Sequence, residues 1–230
     1  MDDYSQKQLE LTRQIEESFK KGQNPSETVK PVSDYVNDDR ICLTSVVFLP
    51  GDIENEIIRK IINPLREADA SQYYYGPGSM HVTINNVRVI NNPPHFSDQD
   101  IEKAKLVFRK TISKYRRFEV SLKRLFELPT SLAISAFTSN LYQGLVLDLR
   151  SSLSAEGIKD DKKYALEDVI IANSTISRFT NIPNREFYDK VKTLKEIEIG
   201  SFEVKKICLI TTNAVCHPSK TKIVEEYDLI

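Results

Sequence analysis

Two β-branched, apolar stretches constrain this chain more than any other feature. Met80 to Val89 contains His81-Val82-Thr83-Ile84, and Asp168 to Phe179 contains Asn173-Ser174-Thr175-Ile176. Residues of these types fit a pleated, half-buried strand. A strand alternates its side chains between two faces, so positions i and i+2 point the same way. His81 and Thr83 are therefore predicted to project together, and so are Asn173 and Thr175. A hydrogen-bonding group beside a hydroxyl, on each of two strands, can hold a phosphate from two sides.

The elements around both stretches repeat. Ile41 to Leu49 is a near-continuous apolar run closed by Pro50-Gly51, which predicts a buried strand. Asp52 is placed to cap a helix with Ile53, Ile57, Ile58, Ile61, Ile62 and Leu65 on one face. A loop with Tyr73-Tyr74-Tyr75 and Gly76-Pro77-Gly78 feeds the His81 strand. A second helix carries Ile101, Ala104, Phe108, Ile112 and Tyr115, and Phe118 to Phe126 reads as a strand. The order then restarts: a strand over Ser131 to Phe137, a helix marked by Leu141, Leu145, Leu149 and Leu153, and a loop at Gly157 to Asp161. Tyr164 to Phe179 holds the Asn173 stretch, and Asn184 to Lys192 is a short helix. Phe202 to Thr211 is a strand, followed by a turn at His217-Pro218-Ser219 and a last strand from Ile223 to Leu229. Leu49 precedes His81 by nearly the separation between Phe137 and Asn173, which suggests a diverged internal duplication. Alternating strands and helices make the class α+β or α/β. The duplication puts the two motifs on equivalent strands facing one groove.

Residues 1–40 read as an N-terminal extension, a helix with Leu11, Ile15 and Phe19 followed by a polar linker. The main domain spans 41–230. The extension offers a place for a protein partner. The chain has 230 residues with a net charge of −1, but residues 1–40 carry nine acids and six bases. A protein held to nucleic acid by bulk charge would be far more basic, so any contact is expected in a pocket, on a few nucleotides or an end. No apolar run is long enough for a membrane span, and the acidic N-terminus lacks a secretory h-region. Cys42, Cys208 and Cys216 form no C-x-x-C, so idle thiols in a reducing cytoplasm are expected. No phosphate-cradling glycine loop, nucleophile elbow or dinucleotide fingerprint is present, which counts against nucleotide triphosphatase, serine hydrolase and dehydrogenase readings.

From Ile41 to Leu229 the layout resembles the two-histidine phosphoesterase superfamily, and within it the 2′-5′ RNA ligases and cyclic phosphodiesterases. His81-Val82-Thr83-Ile84 matches the first His-x-Thr/Ser-x motif of that family. Asn173-Ser174-Thr175-Ile176-Ser177-Arg178-Phe179 resembles the second, including an Arg-Phe that often follows it. The resemblance implies a bilobal duplicated α+β fold, with antiparallel sheets around a central cleft and helices outside. It implies metal-independent, cofactor-free phosphodiester chemistry on 2′,3′-cyclic phosphates or 2′-5′ linkages, in RNA ends or small nucleotides. His81 would be the acid/base, Thr83 and Thr175 would bind phosphate, and Asn173 would orient it.

Asn173 stands where the family has its second histidine. Histidine takes and gives protons because its pKa lies near working pH, whereas a carboxamide cannot transfer a proton at neutral pH. Losing one acid–base partner typically costs about 10²–10⁴-fold in rate. Three accounts stay open: an impaired or diverged enzyme, a silent RNA- or nucleotide-binding module, or a substitution made to trap a ligand. Tyr75, from the tyrosine run, is a candidate to stack a base at the cleft rim. Arg178 is a candidate phosphate contact, but lies five residues past Asn173, which puts it on the opposite face unless a bulge intervenes. His95 and His217 have no partner at metal-ligand spacing, so no metal site is expected. The basic run from Lys103 to Arg117 is expected to be a solvated helix face.

Overall fold

The apolar run after Arg40 forms the central strand of one of two sheets. A computed structural model describes residues 3–23, 29–161 and 169–230. In chain order the elements are α1 (Asp3–Lys20), β1 (Ile41–Phe48), α2 (Gly51–Ile57), a π-helical turn at Ile58–Ile62, α3 (Asn63–Ala68), β2 (Tyr73–Tyr74) and β3 (His81–Asn91). Then come α4 (Asp98–Ile112), β4 (Phe118–Leu128), β5 (Ser131–Phe137), α5 (Asn140–Ala155), β6 (Ala172–Arg178), α6 (Arg185–Thr193), β7 (Glu198–Val204), β8 (Lys206–Thr212) and β9 (Lys222–Asp228). The first sheet has the order β3-β1-β8-β9 and the second β2-β6-β5-β4-β7, and every pairing is antiparallel.

Without the two-residue β2, the orders β3-β1-β8-β9 and β6-β5-β4-β7 correspond strand for strand. The motif strands β3 and β6 thus hold equivalent places, each paired with the strand that opens its half of the chain. Two sequence expectations need correction. β4 does not close the first half; it crosses to pair with β5 and β7 in the second sheet. The run from Phe202 to Thr211 is two strands, because Val204 pairs with Phe118 in one sheet while Lys206 pairs with Asp228 in the other. The part of the predicted Asn173 strand from Tyr164 to Asp168 lies outside the described residues.

The helical stripe forms with an inserted π turn, which lets adjacent Ile61 and Ile62 both reach the core with Ile57 and Leu65. Asp52 does not cap this helix. Pro50 is the N-cap without a side-chain bond, and Asp52 sits in the first turn, where its charge suits the helix dipole. α4 starts with a reciprocal Ser97–Asp100 capping box. On α5 the buried set is Tyr142, Leu145, Val146, Leu149 and Leu153, whereas Leu141 is 42% exposed. One hydrophobic core joins both sheets to α2 through α6.

The N-terminal helix α1 is docked. Leu11 and Ile15 pack on Phe126 and Ala133 of β4 and β5, in a cluster separate from the main core. Gln8 donates to Ile170 O and to the Thr138 hydroxyl, and its carbonyl accepts from Thr138 N. Glu16 is buried and receives Arg124 (2.6 Å), Lys195 and the Glu127 N–H. Arg124 adopts φ +64° at a register break in β4, which turns its side chain toward this helix. Among the described residues, no helix is long and apolar enough to cross a membrane.

Candidate functional site between the two motif strands

β3 and β6 lie side by side where the two sheets meet. Along β3, His81 and Thr83 are half-buried while Val82 and Ile84 are buried, the alternation of a pleated strand with one side packed on the core. β6 repeats the pattern: Asn173 and Thr175 are half-buried between buried Ala172, Ser174 and Ile176. The Tyr142 hydroxyl donates to Thr83 O at 3.0 Å, pinning the β3 backbone from α5.

Arg178 is where the pleat rule breaks. In the β5–β6 ladder Ala133 pairs with Thr175 and Leu132 with Ser177, so Ile176 is an extra, unpaired residue. This bulge shifts the alternation by one position. Ser177 is then buried and Arg178 half-buried, on the side of Asn173 and Thr175. Its charge acts on His81, Tyr75, Tyr35 and Cys216. Its Nε is buried and lacks a hydrogen-bond partner among the described residues. An unpaired guanidinium N–H is costly unless an anion or water meets it.

His81 is held by one directed bond, Nδ1 lying 2.8 Å from Ser79 O. A carbonyl can only accept, so Nδ1 carries the proton and the neutral imidazole presents its lone pair at Nε2. Burial lowers the His81 pKa; the Ser79 bond opposes this and the Arg178 charge adds to the lowering. The Ser79 loop is itself clamped. Both carboxylate oxygens of buried Glu54 accept from Gly78 N at 3.0 Å, and Gly78 sits at φ +74°.

Rings surround the imidazole. Phe48 and Tyr75 each lie 6.4 Å from it by ring centroid, and Tyr73 continues the row at 5.6 Å from Tyr75. Tyr75 is only 1% exposed. It forms part of the site wall, and the partly exposed ring of the row is Tyr73. Burial raises the Tyr75 hydroxyl pKa, while Arg178 opposes this through its charge and a side-chain hydrogen bond. Tyr74 turns away, its hydroxyl donating to the carbonyls of α3 and its end, Leu65 and Asp69, at 2.8 and 2.7 Å.

Sequence reasoning passed over Cys216. Its Sγ is 3.8 Å from His81 Nε2, and its backbone is at φ +47°. Burial pushes its thiol up to about 12, so it stays protonated and presents an uncharged wall. A cysteine distant in sequence carries no signal of this contact. His217 bonds Ser219 in the adjacent turn, and the basic residues of α4 are engaged at the surface, Lys105 with Glu102 and Arg109 with Glu225.

No family model matches the chain, and no curated protein matches it by sequence. Solved structures do match. TT0787 of Thermus thermophilus aligns with a TM-score of 0.62 at 13% identity, covering 83% of this chain and 97% of that one. E. coli LigT in apo form gives 0.57 at 13% identity, covering 84% and 99%. LigT complexed with 3′-AMP gives 0.56 at 12% identity, covering 84% and 99%. The chain has the two-histidine phosphoesterase fold. At these identities the likeness concerns the fold alone. Within a two-histidine phosphoesterase fold, His81 and Asn173 lie on the equivalent strands β3 and β6, Cys216 lies beside His81, and the Arg178 charge acts on it.

Proposed function

We propose that this cleft binds the phosphate of RNA ends or small, including cyclic, nucleotides, and acts on it as a metal-independent phosphodiesterase with a single proton carrier. The observation that carries the reading is the pairing of a neutral, Nε2-presenting His81 with an Arg178 guanidinium whose buried Nε has no partner among the described residues. Structural neighbours include LigT complexed with 3′-AMP and with phosphate, which favours a ligand of this class.

In this reading Arg178 and the Thr83 and Thr175 hydroxyls meet the nonbridging phosphate oxygens. Nε2 of His81 takes a proton from water as its oxygen attacks phosphorus. For a 2′,3′-cyclic phosphate, one ribose O–P bond breaks and the leaving oxygen takes its proton from solvent. Asn173 can orient that oxygen but gives it no proton. Hydrolysis is therefore slow relative to a site with two proton carriers, by about 10²–10⁴-fold. The same substitution favours a second reading, a binding module that holds the phosphate without turnover.

The test compares hydrolysis of 2′,3′-cyclic nucleotides and a cyclic-phosphate-ended RNA by this chain, Asn173→His and His81→Ala. Turnover abolished by His81→Ala supports the enzyme. A silent parent with at least roughly tenfold gain in Asn173→His supports the binder. Silence of all three, with no phosphate binding, refutes both.

A further inference from the structure

Residues 29–40 contain no helix or strand, yet one side chain in them is as buried as any in the core. Tyr35 is 1% exposed. A local turn presents it: Asp34 Oδ1 accepts from Val36 N and Asn37 N, both at 3.1 Å. An Asp38–Arg40 ion pair (2.8 Å) and a Lys220–Asp39 contact (2.7 Å) secure the segment beyond it.

Three contacts of Tyr35 land on three different elements around His81. Its hydroxyl donates to Phe179 O at 3.2 Å, the residue after Arg178. Its ring lies 5.6 Å from Tyr73, the start of the row that runs through Tyr75 to His81. Its carbonyl accepts from Asn213 Nδ2 at 2.9 Å. Asn213 Oδ1 in turn accepts from Val215 N (3.3 Å) and His217 N (3.1 Å), shaping the loop that brings Cys216 to His81 Nε2. The hydroxyl fixes the ring at Phe179, and the backbone carbonyl of the residue so anchored is what Asn213 binds.

We propose that Tyr35 is a positioning residue of the cleft, fastening the Arg178 end of β6 and the Cys216 loop around His81. The N-terminal segment is then a working part of the site. This inference rests on the reading of His81 and Arg178 as that site.

The experiment uses the full chain with Tyr35→Ala and Tyr35→Phe. The first readout is the His81 imidazole titration by NMR, assigned with His81→Ala among only three histidines. The second is the affinity for inorganic phosphate. Tyr35→Ala lets water reach the imidazole, so its pKa moves up toward the ordinary histidine value of about 6.5. Phosphate binding weakens by roughly three- to tenfold. Tyr35→Phe keeps the ring and loses only the bond to Phe179, so both of its readouts fall between those of the parent and Tyr35→Ala. A Tyr35→Ala protein that is less stable but titrates like the parent overturns the proposal, leaving Tyr35 as packing alone. If Tyr35→Ala does not fold, Tyr35→Phe decides: a change in either readout supports the proposal, and parent-like values in both overturn it. A parent that binds no phosphate overturns the functional reading, while the His81 titration still decides the role of Tyr35.

Discussion

Replacing Arg178 by Met tests the cleft at its electrostatic centre. The guanidinium reaches the His81 side only because Ile176 is bulged out of the β5–β6 ladder, and its Nε has no partner among the described residues. A phosphate seated there gains charge-assisted hydrogen bonds, each worth about 1.5–3 kcal/mol. Loss of one such bond weakens binding by roughly 10- to 150-fold. Arg178→Lys, which keeps a point charge but loses the fork, is expected to lie between. The same substitution has a second consequence. The Arg178 charge lowers the His81 pKa, behind burial as the larger cause. Arg178→Met removes one of the two lowering causes, so the imidazole pKa rises but burial still holds it down. With the neutral imidazole as the proposed base, activity in the parent is expected to be lost as pH falls through this lowered pKa. In Arg178→Met that acid limb moves to higher pH. Calorimetric titration with inorganic phosphate and an NMR titration of His81 measure the two effects. An unchanged phosphate affinity together with an unchanged His81 pKa would refute the placement of the guanidinium in the cleft.

The Glu16–Arg124–Lys195 cluster fastens α1 to the second sheet, and Glu16→Ala leaves the buried Arg124 guanidinium only the solvent-exposed Glu196, 3.4 Å from its Nε, at a cost of about 3–5 kcal/mol. Thermal unfolding should fall by about 6–20 °C, and a drop under about 2 °C would show that the cluster is not stabilising. Burial raises the Glu16 pKa, but the bonds from Lys195, Arg124 and Glu127 N outweigh it and hold it below the ordinary value. That stabilisation is present above the unfolded pKa and is lost as pH falls through the folded one, so Glu16→Gln flattens the acid limb of stability measured by denaturant titration. Glu54 has the opposite sign, because burial raises its pKa despite the Gly78 and Met80 bonds. The folded state takes that proton more readily than the unfolded chain, so ionised Glu54 costs stability at neutral pH. Glu54→Gln is expected to be no less stable at pH 7 and to lose the relative gain on acidification, whereas Glu54→Ala strands Gly78 N at about 1–3 kcal/mol.

The strands and helices were legible where periodicity was strong. β5 has the ends read from its apolar run, and the stripe from Ile53 to Leu65 appears as predicted apart from its π turn. What escaped was pairing. Periodicity says that Phe118 to Phe126 is a strand but not which sheet receives it, since sheet membership is decided by partners far away in the chain. The continuous run Phe202 to Thr211 likewise hides the crossing at Lys205. At the site, alternation put His81 with Thr83, and Asn173 with Thr175, on the half-buried faces of their strands. For Arg178 it left the face open, depending on whether a bulge intervenes, because a bulge needs a register and a single strand has none; the β5–β6 ladder supplies that bulge. Cys216 and Tyr35 were invisible for a further reason. Their roles come from a loop and a linker folding onto the site, and neither residue type announces such a contact.

In the proposed reading, the two jobs of a two-histidine site fall to unlike groups. A pair of histidines works because one is charged while the other is neutral, and each titrates near working pH. Here β3 carries an imidazole whose pKa burial and the Arg178 charge lower, and β6 carries that arginine. A guanidinium attracts an anion at every pH but cannot surrender a proton to a leaving oxygen. Binding in this cleft should therefore follow the ionisation of the phosphate itself, with only a minor His81 contribution. Turnover should show a single enzymic limb on the acid side, where a two-histidine enzyme shows a bell. A bell-shaped profile in the parent chain would require a second proton carrier and would remove Asn173 as the explanation of a one-sided site.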